Sequence, residues 1–469
     1  MTFPSSAPAA SFDVAIIGGG AAGTLVAIHL LNASRAPIRI AIIEPRPGLG
    51  QGAAYSTDYP EHLLNVVASR MSAFDSDPGH FVRFLAAPGD NEARPDSEAA
   101  IAASFAQRRD FGRYLRATLE AQPSFDRLCW LQDEAIDIER GDAYSIKLRH
   151  GDAIYAKAVV LAIGNFARPI PLPASAIKGE PAIGNAWDYR TVHRIDPDAD
   201  VCIVGSGLSM VDAVVSLAAN RHRGRVAVIS RHGLLPLAHA APGERDGDVD
   251  DLLALGVRER FRLIRQRATA AQRAGQPWQW TMDRLRPHVR SLWQSLEAAE
   301  QRRFLRHALR FWDIHRHRIA PSVASSIERM RASGQLEVCA GRLVSIIGDG
   351  GGSRVRFRPR GESLEREIRA DHVINGTGVE TSIARMENPL VVSLIERGLI
   401  SPGPHGIGIA TDDAGAVRAS DGSIAGDLLT LGAPRIGRLW ESIAIPELRG
   451  QAQRIGEYLG RSLASMRQP

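Results

Sequence analysis

With 469 residues, 44% of them hydrophobic and 23% charged, the chain can bury two or three cores and carries no compositional mark of disorder or fibre. Its formal charge of +5 is borne almost wholly by arginine, since lysine occurs only at Lys147, Lys157 and Lys178, and the arginines are scattered through helical stretches. One dense basic run is missing, which argues against nucleic-acid binding. Cys129, Cys202 and Cys339 stand too far apart for a disulfide framework, a redox CxxC or a zinc spacing. The opening MTFPSSAPAAS has no basic region followed by an apolar core, and no uninterrupted apolar run is long enough to span a bilayer, so a cytoplasmic setting without a membrane is expected.

In chain order, the first element is the apolar run Val14 to Ile17. It strikes a GxGxxG at Gly18, Gly20 and Gly23, with Ala21 and Ala22 between, and passes into a helical period over Thr24 to Leu31. Strand, tight turn and helix are the context a dinucleotide-binding turn requires: one glycine for the turn, one for approach of a pyrophosphate, one for helix packing. A second strand, Ile40 to Ile43, ends at Glu44, the distance at which an acid grips a ribose diol. Next comes PRPGLGQGAAYS, in which Gly50, Gly52 and Tyr55 are placed to touch the same cofactor. His62-Leu63-Leu64-Asn65-Val66 then sets an imidazole and an amide in an apolar segment. After a helix over Asp110 to Leu119, residues 128 to 149 alternate as strands around Gly141-Asp142, and a buried strand over Ala158 to Ile163 exits at Gly164-Asn165.

The pattern restarts at Ala199 to Val204, followed by Gly205-Ser206-Gly207-Leu208-Ser209-Met210, a helix from Asp212 to Ala219 and a strand over Arg225 to Ile229. Met210 in place of the third glycine implies looser helix packing, with both phosphate-facing glycines kept. No acid follows the strand. Ser230-Arg231-His232 stands there, and a hydroxyl beside a guanidinium is what a ribose 2′-phosphate needs. This unit also closes on strands around Gly348 to Gly352 and an exit through Asn375-Gly376-Thr377-Gly378.

Between them lies a helical insertion, about 249–335, with Trp278, Trp280, Trp293 and Trp312. Core or interface packing is its expected role, a substrate lid or dimer surface the alternative. His315 and His317, two apart, fall on different sides of a helix, so no metal pair is expected. The C-terminal part returns to the first unit with a strand over Gly426 to Leu431, the exit Gly432-Ala433-Pro434, and a helix from Trp440 to Leu463 whose start, with Ile443, is expected against the cofactor. Position 433 is then the strand-end site, and Asp427 is assigned no cofactor role.

The expected fold is α/β: two Rossmann-like dinucleotide-binding domains in a two-dinucleotide-binding flavoprotein arrangement, with a helical insertion. The first domain is expected over residues 1–178 and 372–469, the second over 179–371. Glu44 in one unit and Ser230-Arg231 in the other point to FAD and NADPH respectively, with hydride passing between them.

The set GGGAAG, Gly50 to Ser56, HLLNV (62 to 66), GSGLSMVD (205 to 212), SRHGLLP (230 to 236), WDIHRHR and LWESIAIPELR (439 to 449) resembles an FAD/NAD(P)-binding family of bacterial proteins. Its relatives include flavin-dependent N-hydroxylating monooxygenases of the nitrosuccinate-forming, aspartate-oxidising kind. The resemblance implies class B chemistry, in which NADPH reduces FAD, molecular oxygen adds at C4a, and the hydroperoxide passes its distal oxygen to an amine or amino acid. Under it, Asn65 is the candidate for a hydrogen bond near the peroxide, and His62 accompanies it as a catalytic candidate. The Baeyer–Villiger signature is missing, since Phe166 has no glycine at the required spacing. An acidic substrate would call for guanidinium partners, with Arg290, Arg435 and Arg438 in suitable segments. A flavin reductase or oxidase serving another acceptor, and a non-catalytic redox sensor, are the competing readings, and a homo-oligomer is compatible with each.

Overall fold

The computed structural model of the protein describes residues 10–34, 37–87, 97–243 and 247–465. The reading of the N-terminus falls largely on residues 1–9, outside the described residues. Chain packing divides the molecule into two compact units, 1–56 with 66–166 and 380–469, and 57–65 with 167–379.

In the first unit the strand Ser11–Ile17 is central. It pairs in parallel with Ile40–Ile43 on one side and Ile154–Leu161 on the other, so that Val14 faces both Ile40 and Ala158. Leu128–Leu131 extends the sheet beyond Ile40–Ile43, and Ile424–Thr430 extends it beyond Ile154–Leu161, both in parallel. Continuous apolar runs such as Val14 to Ile17 are what a strand covered on both faces needs, and these four residues are at most 5% exposed. The helix Ala21–Ala33 is apolar nearly all round, nine of its residues are buried, and it packs on the C-terminal helix Ile445–Ser465. The strands Ala135–Arg140 and Tyr144–Leu148 fold around the Gly141-Asp142 turn and join Ile154–Leu161 as an antiparallel meander.

One boundary differs from expectation. The final helix begins at Ile445 instead of Trp440. A short helix, Ile436–Leu439, ends at Trp440, whose φ of 64° lies in the left-handed region and turns the chain before Pro446 can open the next helix.

The second unit repeats the plan around Val201–Val204, flanked in parallel by Val226–Ser230 and His372–Asn375. Leu336–Gly348 lies parallel to Val226–Ser230, reached through the helix Pro321–Ala332. That helix is therefore the crossover of a strand–helix–strand unit, and the inserted helical layer is the stretch before it, from Asp250–Leu253 to Leu309–Arg316. The layer is held by a ring cluster in which Phe304 meets Trp293 at 5.9 Å and Trp312 at 6.0 Å between centroids, all three less than 9% exposed. No helix among the described residues is long and apolar enough to cross a membrane.

Candidate nucleotide-binding sites

At the first turn the chain leaves the strand at Gly18 with φ +104°, and a Cβ there would stand 2.4 Å from the Ala162 carbonyl oxygen. Gly23 is tighter still, since its Cβ would meet the Gly18 carbonyl oxygen at 1.9 Å. Only a residue without a side chain lets the helix Ala21–Ala33 begin over the strand end, with Gly20 as its N-cap and Ala21 and Ala22 in its first turn. The helix thus presents its free N–H groups outward.

Glu44, 8% exposed, stands where the sequence puts it, at the end of Ile40–Ile43. Its Oε2 accepts from the Gly19 amide at 2.9 Å and its Oε1 from the Arg46 amide at 3.0 Å. The carboxylate is pre-oriented by two backbone donors and retains acceptor capacity for hydroxyl groups. The Gly50 amide donates to the Gly19 carbonyl at 2.8 Å, bringing the PRPGLGQG loop against the turn, and a Cβ on Gly20 would lie 3.3 Å from Gly52 Cα. Tyr55 packs on Phe111 with centroids 4.9 Å apart, and burial pushes its phenol up to about 12, so it stays a protonated donor at neutral pH. Gly164, at φ +68°, has nothing within 4 Å of its would-be Cβ. At the C-terminal strand exit, the Gly432 amide donates to Gln451 Oε1, the Gly432 carbonyl accepts from Ser442, and Ile443 is 42% exposed. Asp427 is taken up by the Tyr144 hydroxyl at 2.7 Å and by Arg140.

The second turn has the same backbone. Gly205 has φ +108°, and its Cβ would lie 2.3 Å from the Gly376 carbonyl oxygen. Gly207 is the N-cap of the helix Leu208–Ala219. Met210, which stands in place of a third glycine, is fully buried. Gly378, φ +88°, exits into open space. Ser206 is 4% exposed and donates to Ser230 Oγ at 2.8 Å or to the Leu234 carbonyl at 2.7 Å, tying the turn to the strand end.

Around that strand end the charge is positive. Burial first, then Arg231, Arg360 and Arg310, hold the His232 imidazole below its ordinary pKa. His232 Nδ1 is buried without a hydrogen-bond partner among the described residues. Three guanidinium groups therefore act on one imidazole two residues beyond Ser230, the residue in register with Glu44 of the first unit, and positive charge collects at this strand end. Arg310 and Arg360 are not singled out by the sequence: they lie 104 residues beyond Ser206 and 130 beyond Ser230, in a chain full of arginine. Arg360 is brought in by its amide, which donates to the Ala340 carbonyl beside the neighbouring strand.

The segment 57–65 belongs to the second unit. His62 is 1% exposed; Nε2 lies 3.1 Å from the Asp212 carbonyl and 2.9 Å from Ser216 Oγ, and Nδ1 lies 2.7 Å from Thr57 Oγ1. A carbonyl only accepts, so the proton sits on Nε2 and Nδ1 accepts from the threonine hydroxyl. His62 pins the segment to the helix Leu208–Ala219. Asn65 is half-buried. Its carbonyl accepts from His239 Nε2 at 3.0 Å, and its side-chain amide makes no hydrogen bond to the described residues. Burial and the nearby Arg318 depress His239 to about 4, so it is a neutral donor across the physiological range.

Of the arginines considered for a substrate carboxylate, Arg435 is 1% exposed and committed to the Asp412 and Asp413 carbonyls, and Arg438 pairs with Asp413 at 3.1 Å. No group of three or more His, Cys, Asp or Glu among the described residues is placed to hold a metal. The inserted helices, with Leu237, line an open apolar pocket of about 540 Å³, walled among others by Phe261, Trp278, Met282, Phe311 and Trp312.

A family model described as FAD-NAD(P)-binding matches residues 15–166, so that stretch is an FAD/NAD(P)-binding domain. No curated protein sequence matches. Among solved structures, the ornithine N-hydroxylase KtzI of Kutzneria sp. 744, solved with reduced FAD, NADP⁺ and L-ornithine, has a TM-score of 0.65 at 16% identity, covering 97% of this chain and 100% of its own. The ornithine hydroxylase PvdA of Pseudomonas aeruginosa gives 0.65 at 15% identity, with the same coverage of both chains. The FAD-bound cadaverine monooxygenase DfoA of Erwinia amylovora gives 0.63 at 12% identity, covering 97% of this chain and 94% of its own. The likeness runs the length of the chain and establishes the two-dinucleotide-binding flavoprotein fold with its helical insertion.

Proposed function

We propose that the chain is an FAD- and NADPH-dependent N-hydroxylating monooxygenase, with FAD on the first glycine-rich turn, NADPH on the second, and a small amine or amino acid as the group oxygenated by molecular oxygen. One observation carries this reading: two turns of the same backbone geometry have opposite charge beside the end of the strand that follows, Glu44 in one and Arg231 with Arg360 in the other. A carboxylate suits the free ribose diol of FAD, and a cationic corner suits a 2′-phosphate. When bound, FAD would accept hydride and activate oxygen.

The chain's own residues then have defined tasks. The N-termini of Ala21–Ala33 and Leu208–Ala219 face the two pyrophosphates. Gly50, Gly52, Tyr55, Gly164, Gly432 and Ile443 complete the flavin side, and Gly378 the other. Asn65, its backbone held by His239 and its side-chain amide without a hydrogen bond among the described residues, offers a hydrogen bond to the reacting oxygen. His62, with both nitrogens engaged, is assigned a positioning role: it holds the segment that carries Asn65. For the substrate, the structurally similar proteins are named for ornithine and cadaverine, which favours an amine. Aspartate, suggested by the sequence resemblance, would need a cation other than Arg435 or Arg438, whose guanidinium groups are engaged within the chain.

The test is turnover with NADPH and oxygen in the presence of ornithine, cadaverine or aspartate, with hydroxylated product and hydrogen peroxide both measured. Product in step with NADPH consumption supports the proposal. Peroxide equal to NADPH consumed, whatever the amine, identifies an oxidase, and failure of NADPH to reduce the flavin leaves a redox sensor.

A further inference from the structure

The helix Leu309–Arg316 is entered through a π-helical turn, Phe304–Ala308. Such a turn accommodates an extra residue and rotates everything after it relative to the helix before, here Ala298–Arg303. The side chain it delivers to the second glycine-rich turn is Arg310. Its Nη2 donates to the Ser206 carbonyl at 2.8 Å and to the Leu234 carbonyl at 2.8 Å, with Ser206 Oγ at 3.3 Å. Its Nη1 lies 3.9 Å from where a Cβ on Gly207 would stand, and neither Nη1 nor Nε makes a hydrogen bond to the described residues. One amino group thus fixes the guanidinium plane, and its remaining donors are open beside the residue that starts the helix Leu208–Ala219.

Two carbonyls satisfy donors but balance no charge. Burial and the nearby Arg231 push Arg310 below its ordinary pKa, and Asp313 only partly opposes them. A guanidinium held in that setting becomes favourable when an anion completes it. The group that crosses a glycine-rich turn at the start of such a helix is the pyrophosphate of a dinucleotide.

We infer that Arg310 is a ligand of the coenzyme pyrophosphate, so that the helical insertion supplies one wall of the dinucleotide site. The inference rests on the reading of the second turn as the nicotinamide coenzyme site, and assigns Arg310 a different phosphate from Arg231. Arg231 reads the 2′-phosphate, which only NADP(H) carries. Arg310 reads the pyrophosphate, which both coenzymes carry.

Equilibrium titration of the FAD-loaded full chain with NADP⁺, NAD⁺ and adenosine 2′-monophosphate separates the roles. In Arg310→Gln, NADP⁺ and NAD⁺ should weaken together, by roughly 10- to 100-fold, the range for charge-assisted hydrogen bonds. Adenosine 2′-monophosphate, which has no pyrophosphate, should bind as in the unmodified protein and so reports that the site is still folded. Arg310→Lys should recover part of the loss by restoring charge without the fork. Arg231→Gln should weaken NADP⁺ and adenosine 2′-monophosphate and spare NAD⁺. Undiminished dinucleotide binding in Arg310→Gln overturns the assignment, and so does equal loss of all three ligands, which a merely structural tie would give. If the unmodified protein binds neither dinucleotide, the reading of the second turn fails, whatever Arg310 does.

Discussion

The two glycine-rich turns make the same bend with different residues, and the differences mark what each is for. In the first, room for the helix comes from Gly23, whose Cβ would collide with the Gly18 carbonyl. In the second, Met210 fills that place and is fully buried. The second turn thus starts its helix with no glycine at the packing position. The ribose positions differ more deeply. Glu44 is held by two backbone amides of its own unit, so its site is complete within a local loop. The second corner draws Arg231 and Arg360 from separate stretches, and Arg310 reaches the turn itself from a third.

The largest expected effect falls on the first turn. Gly23→Ala places a Cβ 1.9 Å from a backbone oxygen that cannot move without displacing the strand end, and should cost more than about 3 kcal/mol in unfolding free energy together with FAD retention. Denaturant unfolding and flavin content check this, and a stable, FAD-loaded variant would break the comparison. The next effect is confined to the second unit. His239 is depressed to about 4 from an unfolded value near 6.5, so the unfolded chain takes up its proton first as pH falls. Its contribution is unaffected above pH ~6.5 and stability is lost between there and pH ~4, with a ceiling of about 3 kcal/mol that solvent screening lowers. Unfolding measured across that window should be less steep in His239→Gln than in the unmodified chain.

Glu44→Ala strips the Gly19 and Arg46 amides of their acceptor along with the ribose contacts, and should lower FAD affinity by about 1.5–3 kcal/mol, read from flavin release on dilution. Arg231→Ala should weaken NADPH by about 1–3 kcal/mol in coenzyme titrations and leave NADH nearly untouched, and equal losses would refute the 2′-phosphate assignment. Smallest is Met210→Leu, a volume-conserving change that should cost under about 1.5 kcal/mol in denaturant unfolding.

Much of this was legible in the chain because the signals are local. Gly18 to Gly23 and Gly205 to Gly207 declare strand, turn and helix within a dozen residues, and Glu44 and Arg231 follow at the end of the next strand. What was not legible depends on distant packing. Arg310 resembles any other arginine until the π-turn aims it, and Phe304–Ala308 has no sequence mark that separates it from ordinary helix. The helix expected from Trp440 looked continuous because its periodicity runs on, whereas Trp440 adopts a left-handed backbone that no local pattern announces. Met210 implies looser helix packing by its place in the motif, whereas its full burial depends on surroundings that the local pattern does not identify. The segment 57–65 read as part of the first unit, while His62 and its hydrogen bonds to Asp212 and Ser216 tie it to the second.

The most direct test of the division of labour between the turns is anaerobic mixing of the FAD-loaded protein with NADPH and, separately, NADH, following loss of oxidised-flavin absorbance. The expected result is rapid bleaching by NADPH and much weaker response to NADH at equal concentration, with most of that difference removed by Arg231→Ala. Equal bleaching by both coenzymes, or none by NADPH, would contradict it.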